Sequence, residues 1–146
     1  RSSLTKQHRF WDEVIKIGGT VRCIYTGNEL HIGDYAVDHF MPWSFVAHDQ
    51  LWNLIPAANS INSSKSAKLP PPDKYLQKLA EEHRKAIRVY LEAGKKESAL
   101  DDFSSLGYTP RDLLSLNRER FMTAYQQTCN TLIQIAQNMG YEEWNN

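Results

Sequence analysis

Three prolines in a row, Pro70-Pro71-Pro72, divide this 146-residue chain. Proline fixes φ and has no N–H to donate, so no helix runs through three of them. The sequence differs in kind on the two sides. Behind the break, residues 73–93 carry Leu76, Leu79, Ala80, His83, Ile87, Tyr90 and Leu91 at helical spacing and stop at Gly94. Residues 98–106 read as a further short helix. Thr109-Pro110 reads as an N-cap followed by proline at the first helical position. Residues 117–139 read as a long helix with Phe121, Tyr125, Cys129, Leu132, Ala136 and Met139 on one stripe, ended by Gly140.

Ahead of the break, Leu4, Phe10, Trp11, Val14, Ile15 and Ile17 predict a helix over 4–17, stopped by Gly18-Gly19. Residues 20–25 and 35–40 are strand candidates, with Thr26-Gly27-Asn28 as turn chemistry. Pro42 breaks the second strand, 43–51 reads as a loop without a clean period, 52–56 as a short strand and 57–68 as a short helix. The expected class is therefore α+β: a small core embedded in a mostly helical domain. Its expected parts are an N-terminal helix (1–19), the core (20–72), and a helical portion (73–146) that packs on the core or docks a partner.

Charge narrows the function. Lys+Arg and Asp+Glu both number 17, so the net charge of +0 excludes a protein that coats nucleic acid by charge alone, though not a local basic face. No apolar run approaches the roughly 18 residues of a membrane span, so no membrane role is expected. Cys23 and Cys129 lack nearby cysteine partners, which argues against a disulfide framework and a four-cysteine zinc site and for reduced thiols in a cytoplasmic setting. The chain begins at Arg1 with no apolar leader, and reads as a fragment or the tail domain of a longer protein.

The chemistry concentrates in VDHFMPWSFVAHDQLWNLIPAANSINSSKSAKLP, residues 37–70. Asp38 and His39 end a strand candidate. Alternation along a strand sends neighbouring side chains apart, but Pro42 and the loop behind it offer a way for both to reach one site. If 57–68 is helical, Asn62 and Lys65 share a face. Asp38 and Asn62 are hard oxygen donors of the kind that suits Mg²⁺, which keeps several waters and commonly bridges to phosphate. An imidazole can take a proton from water near neutral pH. These residues suit phosphodiester hydrolysis.

The same stretch resembles the HNH nucleases, with their ββα-metal (His-Me finger) fold, and is similar to the HNH domain of RNA-guided CRISPR nucleases. The resemblance rests on V-D-H-x-x-P-x-S-F, then Asn53, then N-x-x-K-S-x-x-L-P, and covers about 50 residues. It implies a catalytic set of His39, Asn53 and Lys65. His39 would be the general base, Asn53 would brace the loop that aims it, and Lys65 would contact a phosphate, with Lys68 as a weaker DNA contact. Asp38 and Asn62 would hold one Mg²⁺ or Mn²⁺ ion per site. The substrate implied is DNA, double-stranded or a displaced strand. The chain would be the effector part of a larger defence, restriction or CRISPR-type protein or assembly.

One departure stands out. Many HNH domains bind a structural zinc with two C-x-x-C pairs. The corresponding positions here are Cys23, Thr26, Ala58 and Ile61, so no structural zinc is expected, and packing by Tyr25, Trp43, Phe45, Trp52, Leu54 and Ile55 would hold the core. Among other residues, His83 and Cys129 read as core, Trp43 and Trp52 as core rather than base-stacking, and His31 and His48 as solvated. The Glu81-Glu82 and Glu142-Glu143 pairs read as solvated faces. A second reading is an HNH-like binding module that is inactive or works only when a partner delivers DNA. It is motivated by the neutral charge and by a helical portion holding 10 Lys+Arg against 11 Asp+Glu.

Overall fold

Phe10, Trp11 and Val14 recur at helical spacing, and in the computed structural model, which describes residues 3–145, they form the buried face of α1 (Thr5–Gly18). Gly19, at φ 91°, ends that helix in a conformation glycine adopts without steric cost. Arg1, on which the expectation of a fragment rests, lies outside the described residues.

The strand expected over 20–25 is cut short. Only β1 (Val21–Arg22) pairs, antiparallel, with a partner the sequence did not disclose, β2 (Glu29–Leu30). The reason is a tight turn that begins at Cys23. The Cys23 N–H donates to the Asn28 carbonyl at 2.9 Å, and the Gly27 N–H donates to the Cys23 carbonyl at 2.8 Å.

A second antiparallel pair joins β3 (Ala36–His39) to β4 (Leu54–Ala57), with Asp38 opposite Ile55 and His39 opposite Leu54. The connection is less irregular than its sequence suggests. It holds the one-turn helix α2 (Trp43–Val46), ended by Ala47 at φ 56°, and a 3-10 turn at Leu51–Asn53 that delays the strand by two residues. Then α3 (Asn59–Lys65) packs on β3. Thus β3, β4 and α3 form a small ββα unit among helices, an α+β arrangement.

Helix α4 (Pro72–Glu92) opens with the last of the three prolines at its first turn and buries Tyr75, Leu76, Leu79, Ala80, His83, Ala86, Ile87 and Leu91. A 3-10 segment follows at Glu97–Leu106. Thr109 caps α5 (Pro110–Ser115) by accepting from the Asp112 N–H, and Asn117 caps α6 (Arg118–Asn138) by accepting from the Arg120 N–H. The α6 stripe differs from expectation at its end. Ile133 is buried where Leu132 was expected and Leu132 is half-buried, because spacing four from Cys129 keeps the face on the core; Met139, past the last helical residue, is 65 % exposed. Helix α4 packs against both α1 and α6. Among the described residues, no helix is long and apolar enough to cross a membrane.

After Gly140 the chain returns to the ββα unit. The Leu69 N–H donates to the Glu142 carbonyl at 2.9 Å, and the Trp144 N–H donates to the Leu69 carbonyl at 2.7 Å. Trp144, 2 % exposed, packs on the rings of Tyr25 and Tyr75.

His83 fastens the helices to the sheet. Its ring lies 2.7 Å from the Leu54 carbonyl through Nε2 and 2.5 Å from the Tyr125 hydroxyl through Nδ1. A carbonyl only accepts, so Nε2 carries the hydrogen and Nδ1 accepts from Tyr125. Burial pulls the imidazole down from its ordinary 6.5 to about 4. The folded chain therefore keeps His83 neutral while the unfolded chain takes up a proton below 6.5. Its contribution is full above pH 6.5 and is lost as pH falls from 6.5 to 4, a total of about 3 kcal/mol. Urea unfolding across that range should show the decline, and His83→Gln, which loses the titration, should flatten it.

Candidate active site

The strand β3 ends in a corner held by one side chain. The Asn53 amide oxygen accepts from the Met41 N–H and its NH₂ donates to the Met41 carbonyl, each at 2.9 Å, so a single amide orientation satisfies both. The Phe40 N–H donates to the Asn53 carbonyl at 2.8 Å. Asn53 is 1 % exposed, so these bonds are shielded from water. Pro42 then turns the chain into α2.

Beside this corner lies an open pocket of about 350 Å³, lined by Val37, Asp38, His39, Pro42, Trp43, Ser44, Asn62, Ser66 and Ala67. Asp38 and His39 both reach it, because it opens at the strand's end rather than on one face. Asn62, exposed on α3, also lines it. Trp43, expected in the core, is instead a partly exposed wall of this pocket, since α2 carries it past the corner. Phe45 is also only half-buried, whereas Tyr25, Trp52, Leu54 and Ile55 are in the core.

Lys65 lies beneath. It is 1 % exposed, and its ammonium sits 3.4 Å from each Asp38 oxygen and donates to the His39 carbonyl at 2.6 Å. The Tyr25 hydroxyl donates to Asp38 Oδ2 at 2.8 Å. Burial pushes the Asp38 carboxyl up and the Lys65 ammonium down, and each opposes the shift in the other. Burial and the Asp38 charge likewise raise the Tyr25 hydroxyl, which keeps it a donor. A side chain so enclosed does not present itself to a phosphate on the surface, so the expected phosphate contact by Lys65 does not fit. Lys68 is exposed and borders a separate hollow with Met139 and Tyr141.

One neighbour of the site was not foreseen. His39 Nε2 lies 2.8 Å from Asp49 Oδ1. Asp49 sits ten residues on, in a stretch without periodicity, and nothing in a single sequence marks it. His48, expected to be solvated, is half-buried, accepts from the Gln50 N–H at 3.1 Å and packs on Trp52.

Residues 23–71, about a third of the chain, match the HNH endonuclease family. This segment is an HNH domain. It contains Tyr25, Asp38, His39, Asp49, Asn53, Asn62, Lys65 and Lys68. No curated protein matches the chain. An HNH domain of this nuclease type implies a nucleic acid as substrate, and the family typically uses a divalent metal. Among the described residues, no group of three or more His, Cys, Asp or Glu is placed to hold an ion. The donors present are nevertheless suitable. Asp38 Oδ1 makes a long contact to Lys65, and Asn62 lines the same pocket. Two hard oxygen donors with water completing the shell suit Mg²⁺. At the positions of the absent C-x-x-C pairs, Cys23 Sγ accepts from the Ala58 N–H at 3.4 Å, and Ile61 is buried.

The buried pair makes a prediction. Lys65→Met should destabilise the fold by about 3–5 kcal/mol, because the largely buried Asp38 loses its counter-charge. Adding Asp38→Asn should recover a large part of that loss. Urea unfolding of both single variants and the double variant measures it, and simple additivity would mean that the two do not act as a pair.

Proposed function

We propose that the HNH domain is a metal-dependent DNA endonuclease. The observation that carries this is the meeting of Asp38, His39 and Asn62 at one open pocket beside the corner clipped by Asn53. His39 is the general base that takes a proton from the attacking water. Asp38 and Asn62 hold one Mg²⁺ or Mn²⁺ ion. That ion, when bound, supplies charge stabilisation at the scissile phosphate and the leaving 3′ oxygen. Asn53 fixes the main chain that aims His39, and Lys65 fixes the His39 carbonyl and the Asp38 carboxylate; both position rather than react. The product ends are 5′-phosphate and 3′-hydroxyl, and Lys68 contacts the backbone beside the pocket.

The balance of 10 Lys+Arg against 11 Asp+Glu in residues 73–146 favours a specific setting for this activity. With no basic arm in residues 73–146, the domain holds free DNA weakly and cuts it as the effector part of a larger defence, restriction or CRISPR-type protein. In the alternative reading the same neutrality belongs to an HNH-like binding module that no longer cuts, or that works only when a partner delivers DNA.

A plasmid nicking assay with Mg²⁺ and Mn²⁺, beside an EDTA control, tests the proposal. Cutting should require the metal, and His39→Ala should slow it by roughly 10²–10⁴. Asn62→Ala should raise the metal concentration needed for half-maximal rate. A folded parent that cuts neither free plasmid nor single-stranded DNA sinks the free-standing enzyme. A His39→Ala variant as fast as the parent removes His39 from the role of base.

A further inference from the structure

We infer that Asp49 is the positioning residue for His39, holding its imidazole with the hydrogen on Nε2 so that Nδ1 is the nitrogen that receives the proton from water. The inference deepens the nuclease reading and rests on it. The geometry is direct. Asp49 Oδ1 and His39 Nε2 are 2.8 Å apart, and the two side chains are 13 % and 9 % exposed, so water competes little for the bond. An ionised carboxylate only accepts, and a neutral imidazole carries one hydrogen. Nε2 therefore donates, and the lone pair is left on Nδ1. A base whose tautomer and ring angle are fixed in advance need not be reordered at the moment of reaction.

Asp49 is itself held from outside the HNH match. Gln7, on α1, donates to the Asp49 carbonyl at 3.1 Å. From the 3-10 segment after α4, Asp102 accepts from the Leu51 N–H at 3.0 Å and Ser105 donates to the Gln50 side chain at 2.8 Å. The loop that carries Asp49 is thus pinned by two elements that the family match does not cover, which gives them a part in the chemistry. Lys65 holds the main chain of His39 and Asp49 holds its ring, so the two restraints are complementary.

The experiment pairs a measurement that needs no substrate with one that does. In ¹⁵N-histidine-labelled full-length protein, the His39 signals, assigned by their loss in His39→Gln, should report the Nε2–H tautomer, and Asp49→Ala should abolish that preference. In the nicking assay, Asp49→Ala should lower kcat by roughly 10–100-fold with KM little changed, the usual scale for a partner that orients an active group. Formate, a small carboxylate able to occupy the vacated space, should restore part of the rate to Asp49→Ala and none to His39→Ala. Asp49→Asn should not recover the parent rate, because its amide can donate to Nε2 and set the opposite tautomer. An Nδ1–H tautomer in the parent, or an Asp49→Ala variant that cuts as the parent does, overturns the inference. A parent with the Nε2–H tautomer that fails to cut with either metal overturns the reading as a free-standing nuclease instead, so the two failures are told apart.

Discussion

Lys65 carries an ammonium group into a place with almost no water, and the acceptors that meet it are the Asp38 carboxylate and the His39 carbonyl. Burying a charge costs several kcal/mol unless its partners are well placed, so this contact dictates where α3 sits against the end of β3. Asp38 in turn needs a second donor, and Tyr25 supplies it. The Tyr25 ring is fixed by Tyr75 from α4 and by Trp144 from the returning C-terminal segment. One buried cation thereby links α3, β3, the turn after Cys23, α4 and the end of the chain. The aromatic cluster lies beside the turn where other HNH domains would carry half of a zinc knuckle. Here hydrophobic packing and one thiol contact to the Ala58 N–H hold that turn.

The corner after β3 turns this scaffold into a site. An uninterrupted strand would send Asp38 and His39 to opposite faces. By capturing both polar groups of Met41, Asn53 stops the strand and lets Pro42 redirect the chain, so the pocket forms at the strand's end where both side chains arrive. The pocket lining includes Ser66, at φ 49°, a conformation uncommon for a residue with a Cβ. That strained turn directly follows Lys65, so the helix is ended at the point where its last side chain has reached Asp38.

Much of this was legible in residue spacing and some of it was not. The long helices α4 and α6 could be placed because a 3.6-residue period over nearly six turns is a strong signal. Asp38, His39, Asn53 and Asn62 stand out because their fixed separations match a known frame. The two-residue strands β1 and β2 are shorter than any window in which alternation can be seen. Lys65 was expected to contact a phosphate because sequence gives the residue type and not its burial. Asp49 and Trp144 act through contacts 10 and 119 residues from their partners His39 and Tyr25, and no local pattern reports such pairs. Trp43 was misplaced for the opposite reason: a large aromatic usually joins a core, but α2 swings this one to the pocket wall.

His39 is restrained at three points, and the restraints come from different parts of the chain. Lys65 of α3 holds its carbonyl, Asp49 of the loop holds its ring, and Leu54 pairs with it across the sheet. The third restraint extends furthest, since the Leu54 carbonyl is bonded to His83 of α4, which is bonded to Tyr125 of α6. A unit of about 50 residues buries a smaller share of its surface than a larger domain and is marginal alone. The ββα unit carries the side chains of the candidate site, while the helices around it supply buried hydrogen-bond partners and packing that keep them aligned. The parts of the chain beyond the family match are therefore components of the site's geometry as much as neighbours of it.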